Sequence, residues 1–77
     1  MLRRTIIFLV RKKLGLKKNE KFKFCNQKNP NEYYWFTDTH VMKRAYIHWA
    51  GEFINESSSV SLNWLLNDNC EIERVED

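Results

Sequence analysis

Residues 32–37 have the sequence EYYWFT, and this stretch decides the fold. Four aromatic residues, Tyr33 to Phe36, follow one another without a charge, a glycine or a proline between them. Because successive side chains of a strand point to opposite faces of a sheet, this strand is aromatic on both faces. The pattern predicts that it lies in the centre of a small sheet.

The residues before this strand predict a second strand beside it. Phe22 and Phe24 alternate with Lys21 and Lys23, which is typical of a strand with one apolar face and one basic, solvated face. The Asn, Lys and Pro residues of 26–31 indicate the turn that joins the two strands.

The residues after the central strand predict a hairpin. Residues 38–40 form a turn, and 41–49 form a third strand. Ala50-Gly51 then predicts a tight turn into a short strand around Phe53 and Ile54.

The C-terminal part predicts a short helix followed by a last strand. Residues 57–59 form a polar loop, and the Ser61 hydroxyl can cap a helix that ends at 67–69. This helix carries the apolar residues Leu62, Trp64, Leu65 and Leu66.

Residues 70–75 alternate in the manner of a half-exposed strand. Cys70 and Ile72 form its apolar side, and Glu71 and Glu73 form its outer side. If this strand pairs with the strand at Lys21 and Lys23, acids and bases lie side by side.

The N-terminal segment fits either a helix or a strand. Over residues 2–14 an apolar stripe recurs at spacings of three and four, and Gly15 is a suitable helix stop. The stripe consists of Leu2, Ile6, Leu9, Val10 and Leu14. Ile7 and Phe8 fall off that stripe, and the β-rich run 5–10 is also compatible with a buried strand.

These elements predict the α+β class. We expect a small, mostly antiparallel sheet of four to five strands with an N-terminal helix and a short helix before the last strand. With 77 residues, we expect one domain spanning 1–77. A core this small is expected to need nearly all of the eleven Phe, Tyr and Trp residues.

Charge is distributed unevenly along the chain. Residues 1–28 carry ten Lys or Arg and one Glu, a net charge of +9, whereas residues 29–77 have a net charge of −6. Either the two halves attract each other in the fold, or the basic half binds phosphates or another partner. The candidate phosphate- or partner-binding residues are Arg3, Arg4, Arg11, Lys12, Lys13, Lys17, Lys18, Lys21 and Lys23.

No motif for catalysis, a cofactor or a metal is recognisable. Cys25, His40, His48 and Cys70 have spacings that fit no zinc module, and the two glycines lie in no phosphate-binding loop. The apolar run 6–10 is too short for a signal peptide or a membrane span, so we expect reduced, buried cysteines in a cytosol. A membrane-surface role for this run is less favoured than packing in the core.

Several short motifs resemble one group of known sequences. They are Leu14-Gly15-Leu16, Glu20-Lys21-Phe22, Tyr33-Tyr34-x-Phe36, Leu62-x-x-Leu65-Leu66-Asn67 and Ile72. Over residues 14–73 the chain resembles short uncharacterised proteins encoded by bacteriophages and prophages of Gram-positive bacteria. The resemblance implies a phage setting in the host cytosol and no enzyme activity, and it supplies no catalytic residues.

Together these observations predict a non-enzymatic interaction protein. The first hypothesis is a host or phage protein partner bound through the acidic or aromatic surface of the sheet. The alternative is sequence-independent nucleic-acid binding through the basic N-terminal segment, with Tyr33, Trp35 or Trp49 as a stacking face.

Overall fold

The strand predicted at 32–37 is present, and it is the middle strand of five. The computed structural model describes residues 3–67 and 70–75. Its elements are α1 (Arg3–Leu14), β1 (Phe22–Phe24), β2 (Tyr33–Phe36), β3 (Val41–Ile47), β4 (Glu52–Ser57), α2 (Leu62–Asn67) and β5 (Ile72–Arg74). The strands form one open sheet in the order β4-β3-β2-β1-β5, and each neighbouring pair is antiparallel. The predicted α+β class and the predicted central strand are confirmed.

One face of the sheet carries the core. Phe22 of β1 and Phe36 of β2 are fully buried, and their rings stack with centroids 5.3 Å apart and planes 10° apart. Ile7 and Val10 of α1 and Leu65 of α2 join the same cluster of buried side chains. Both helices therefore lie on this face of the sheet.

The core uses fewer aromatic residues than the sequence predicted. Only Phe22, Phe24 and Phe36 of the eleven aromatic residues are buried. The expectation that packing consumes nearly all of them is wrong, because the helices fill the space above the sheet with aliphatic side chains such as Ile7, Val10 and Leu65.

The N-terminal segment is a helix, but its buried stripe differs from the predicted one. Ile7 is 1% exposed although it was expected off the stripe, and Leu9 is 40% exposed although it was expected on it. The buried stripe follows Ile7, Val10 and Leu14, which also have spacings of three and four. This rotation of α1 brings Arg3 within hydrogen-bond distance of the Thr39 carbonyl. Leu2, the first residue of the predicted stripe, lies outside the described residues.

Gly15 ends α1, as predicted. Its φ of 72° lies in the left-handed region that glycine adopts without strain. The N–H of Leu16 donates to the Arg11 carbonyl and the N–H of Gly15 donates to the Lys12 carbonyl, both at 3.1 Å. These two bonds form a Schellman motif, and they direct Leu16 into the core.

The β3–β4 hairpin differs from its prediction in the length of both strands. Strand β3 ends at Ile47 rather than at Trp49, because the N–H groups of Ala50 and Gly51 both donate to the Ile47 carbonyl. The turn therefore spans 48–51 and carries Trp49, which is 92% exposed. Strand β4 is longer than predicted and includes Ser57, which was expected in the loop.

The C-terminal helix follows its prediction, and the last strand is present but shorter than the predicted range 70–75. The Trp64 N–H donates to the Ser61 hydroxyl at 3.2 Å, so Ser61 caps α2. Strand β5 pairs with β1 and places Glu73 opposite Lys23. The helix stop predicted at 67–69 includes Asp68 and Asn69, which lie outside the described residues.

The two cysteines were expected to be buried, and they differ. Both are free thiols, and Cys70 packs partly against the core. Cys25 is exposed, because it follows Phe24 and the alternation of β1 turns its side chain away from the core. The prediction of two buried thiols is therefore wrong for Cys25.

Replacing Phe36 should unfold the protein, whereas replacing its neighbour Trp35 should not. We expect Phe36→Ala to lower the free energy of unfolding by about 3–5 kcal/mol, which equals the whole net stability of about 3–5 kcal/mol available to a domain this size. Trp35 lies outside the core, so Trp35→Ala should lower it by about 1 kcal/mol. Urea unfolding followed by circular dichroism checks both values, and equal losses would contradict the assignment of the two sheet faces.

Candidate functional site

The face of the sheet that points away from the helices is the candidate site. Side chains alternate along each strand, so Trp35 and Met42, which are register partners, lie opposite to Phe36 and Val41. We call this surface the open face. It consists of Tyr33, Trp35, Met42, Arg44, Tyr46, Phe53 and Asn55, with Lys21 and Lys23 on the β1 side. Among the described residues, no open-face side chain belongs to the core that joins helices and sheet.

Four aromatic rings form two pairs on the open face. The centroids of Tyr33 and Trp35 on β2 are 5.8 Å apart, and their planes are inclined at 48°. Tyr46 on β3 and Phe53 on β4 are 5.1 Å apart and inclined at 57°. Phe53 is exposed and the other three are half-buried, so part of each pair faces solvent.

Two cations lie against these rings. The Arg44 guanidinium carbon is 4.3 Å from the Phe53 centroid and 5.8 Å from the Tyr33 centroid. The Lys21 ammonium is 5.2 Å from the Tyr33 centroid. Arg44 also donates to the Tyr33 hydroxyl at 3.4 Å. Each such contact between a cation and a ring contributes about 0.5–1 kcal/mol at an exposed site, so Arg44 and Lys21 are held against the rings.

The acidic side chains of β4 point away from the open face, whereas Glu73 of β5 lies beside Lys23 at its edge. Glu52 and Glu56 of β4 alternate with Phe53 and Asn55, so they point to the side that carries the helices. There Glu56 lies 3.8 Å from Lys43, its register partner. Strands β1 to β4 therefore present rings, amides and cations on the open face and no carboxylate.

A small cavity lies within the open face. It has a volume of about 240 Å³, and it is lined by Asn19, Lys21, Tyr33, Trp35 and Asn55. Asn19 has a φ of 65°, and its N–H donates to the Phe36 carbonyl at 2.9 Å. This bond fixes the loop before β1 against the end of β2.

The nine basic residues predicted as one site do not lie together. Lys21 and Lys23 flank the open face, whereas α1 and the loop that follows it carry the other seven. All of those seven except Arg11 are exposed. The nine residues therefore lie in two groups, one beside the open face and one on α1 and the loop after it, and phosphate binding by either group stays a prediction.

Several cations of α1 hold the fold together. Arg3 donates to the Thr39 carbonyl at 2.6 Å, and Arg11 donates to the Leu16 carbonyl at 2.9 Å. Lys13 donates to the Leu65 and Leu66 carbonyls of α2, at 3.0 and 2.7 Å. These bonds place positive charge on the last turn of α2, where carbonyl groups lack partners within the helix.

Lys18 is engaged with an acid of the β2–β3 turn. Its ammonium donates to the Asp38 carboxylate at 3.1 Å. This hydrogen bond and the charge of Lys18 lower the pKa of Asp38, partly offset by desolvation, and Arg4 and Arg11 lower it further. The basic segment therefore attracts part of the acidic half, as the first of the two charge hypotheses predicted.

Five residues of the open face were not identified from the sequence. They are Met42, Arg44, Tyr46, Phe53 and Asn55. The alternation of side chains in the two strands contains the signal. Within 41–47 it places Arg44 and Tyr46 on the same face of β3, and within 52–57 it places Phe53 and Asn55 on the same face of β4. Of the three predicted stacking residues, Tyr33 and Trp35 lie on the open face and Trp49 lies in the hairpin turn.

The described residues offer no metal site and no membrane span. Within 3–67 and 70–75, no three His, Cys, Asp or Glu side chains converge on a point where a metal ion could bind. In the same ranges, neither helix has the length and apolar character needed to cross a bilayer.

Comparison with known proteins gives no relatives. The sequence matches no protein-family model and no curated protein, and the structure matches no solved structure. The resemblance to short phage proteins therefore stays a prediction, and the open face is the basis on which a function can be proposed.

Replacing Lys13 tests whether the α1 cations serve the fold. Lys13→Met should lower the free energy of unfolding by about 1 kcal/mol, because two charge-assisted bonds to α2 are removed. Lys12→Met is the matched control, with an expected change within about 0.5 kcal/mol. Urea unfolding measures both, and an unchanged stability of Lys13→Met would mean that its bonds to α2 contribute nothing.

Proposed function

We propose that this chain is a non-enzymatic binding domain whose open face binds single-stranded nucleic acid. The observation that carries the proposal is a group of four partly exposed rings that lie beside Arg44 and Lys21. On strands β1 to β4, the open face carries no carboxylate. The proposal keeps the phage-type setting and the cytosolic location that the resemblance implies.

Single-stranded nucleic acid has the chemistry that this face would recognise. Its phosphates are anions, and its unpaired bases expose flat faces that stack on aromatic side chains for about 1–3 kcal/mol per base. A duplex hides those faces between its base pairs, so stacking favours the single strand. Arg44 can contact either a phosphate or a base face, because its guanidinium is planar and charged.

The contacts of the α1 cations support the open face rather than the N-terminal segment as the proposed binding surface. Arg11 and Lys13 are engaged with backbone carbonyls, and Lys18 is paired with Asp38. At Arg11, Lys13 and Lys18, phosphate attraction would therefore compete with bonds that hold the fold. Only Lys21 and Lys23 of the predicted cations flank the stacking rings.

A protein partner is the second candidate, and a different surface favours it. Strand β4 is an edge strand among the described strands, and all six of its residues are exposed. An extended segment of another protein can add to such an edge through backbone hydrogen bonds. Trp49, at the tip of the same hairpin, would then serve as an anchor in a pocket of the partner.

Neutralising two cations of the open face should weaken nucleic-acid binding. We expect Lys21→Gln/Arg44→Gln to lower the affinity for an oligothymidylate of about 12 nucleotides by roughly tenfold or more at low salt. The slope of log K against log salt should become less steep by about 0.7 for each phosphate that the variant no longer neutralises. Fluorescence anisotropy across a salt titration measures both quantities.

Arg4→Gln/Lys12→Gln is the matched control, because it removes the same charges from the exposed side of α1. Its affinity should stay within about twofold of the unmodified chain. Equal losses in the two variants would favour the N-terminal segment instead of the open face. If the unmodified chain binds no single strand even at low salt, the nucleic-acid proposal fails, and the edge of β4 becomes the leading candidate.

A further inference from the structure

The cavity of about 240 Å³ on the open face combines two kinds of group that recognise a base. Tyr33 and Trp35 supply rings, and Asn19, Asn55 and Lys21 supply polar groups. Stacking rings accept every base, whereas polar groups at the edge of a base distinguish one base from another. Selective contact with one base would go beyond sequence-independent binding, and this inference rests on the proposed function.

The polar groups match the outer edge of a purine. A side-chain amide offers a donor and an acceptor side by side, which suits N7 and the N6 amino group of adenine. A lysine ammonium offers donors, which suit N7 and O6 of guanine. Pyrimidines have no N7, so a contact of Asn19, Asn55 or Lys21 with that atom would distinguish the two classes of base.

The rings and amides of the cavity have groups available to contact a base. The planes of Tyr33 and Trp35 are inclined at 48°, so the two rings do not cover each other's faces. Neither Asn19 nor Asn55 uses its side-chain amide in a hydrogen bond within the described part of the chain. Arg44 lies beside Tyr33 and supplies positive charge for the adjoining phosphate.

We infer that this cavity is a purine subsite. One base of the bound strand stacks on Tyr33 or Trp35, and its N7 edge receives hydrogen bonds from Asn19, Asn55 or Lys21. The strand as a whole is held by charge and stacking, and this one position is selective.

The test places one purine in a pyrimidine strand. The probe is an oligothymidylate of about 12 nucleotides in which one central thymine is replaced by adenine or by guanine. We expect either replacement to raise the affinity about tenfold, the effect of one good base-edge contact. Replacement by 7-deazaadenine, which stacks like adenine but lacks N7, should abolish that gain.

Asn55→Ala should remove the purine gain, so that the variant binds the adenine-containing strand and plain oligothymidylate with equal affinity. Asn63→Ala is the matched control, because Asn63 is exposed on α2, away from the open face. It should keep the full gain.

Three results would overturn the purine subsite. In the first, plain oligothymidylate binds and adenine or guanine adds nothing, which leaves the proposed nucleic-acid function intact. In the second, 7-deazaadenine and adenine give equal gains, so stacking alone accounts for the preference. In the third, none of the strands binds, and the proposed function fails together with the subsite.

Discussion

The stack of Phe22 on Phe36 is the contact on which the rest of the structure depends. It joins β1 to the central strand and provides the buried surface on which both helices pack. Because strand side chains alternate, burying Phe36 forces Trp35 and Tyr33 to the opposite face. A shift of one residue in the register of β2 would bury those two side chains and expose Phe36. The packing of the core therefore determines which side chains lie on the open face.

Charge follows the same division into two faces. On the helix side, cations and acids meet in pairs such as Lys18 with Asp38 and Lys43 with Glu56. Of these two pairs, Lys18 with Asp38 joins the basic half of the sequence to the acidic half. The open face receives cations without acids on β1 to β4, because the glutamates of β4 alternate to the helix side. The resulting surface combines exposed rings with net positive charge, and its binding chemistry follows from the packing of the sheet.

Local patterns predicted most of the fold but only part of the site. Ser61 and Gly15 mark helix ends through bonds within a few residues, so the sequence alone identifies them. Ile7 was placed wrongly, because two stripes with the same spacing exist on α1 and only tertiary packing selects one. Arg44 and Phe53 were missed for a related reason. Their contact depends on the pairing of β3 with β4, and no single segment contains that register.

The most direct test of the open face follows the indole N–H signals of the three tryptophans by ¹⁵N nuclear magnetic resonance during titration with an oligothymidylate. Trp35 lies on the open face, Trp64 packs near Phe24 on the helix side, and Trp49 lies in the hairpin turn. We expect the Trp35 signal to move with ligand concentration while the Trp64 signal stays in place. A Trp64 signal that moves while Trp35 stays fixed would contradict binding at the open face, because the strand would then bind on the helix side.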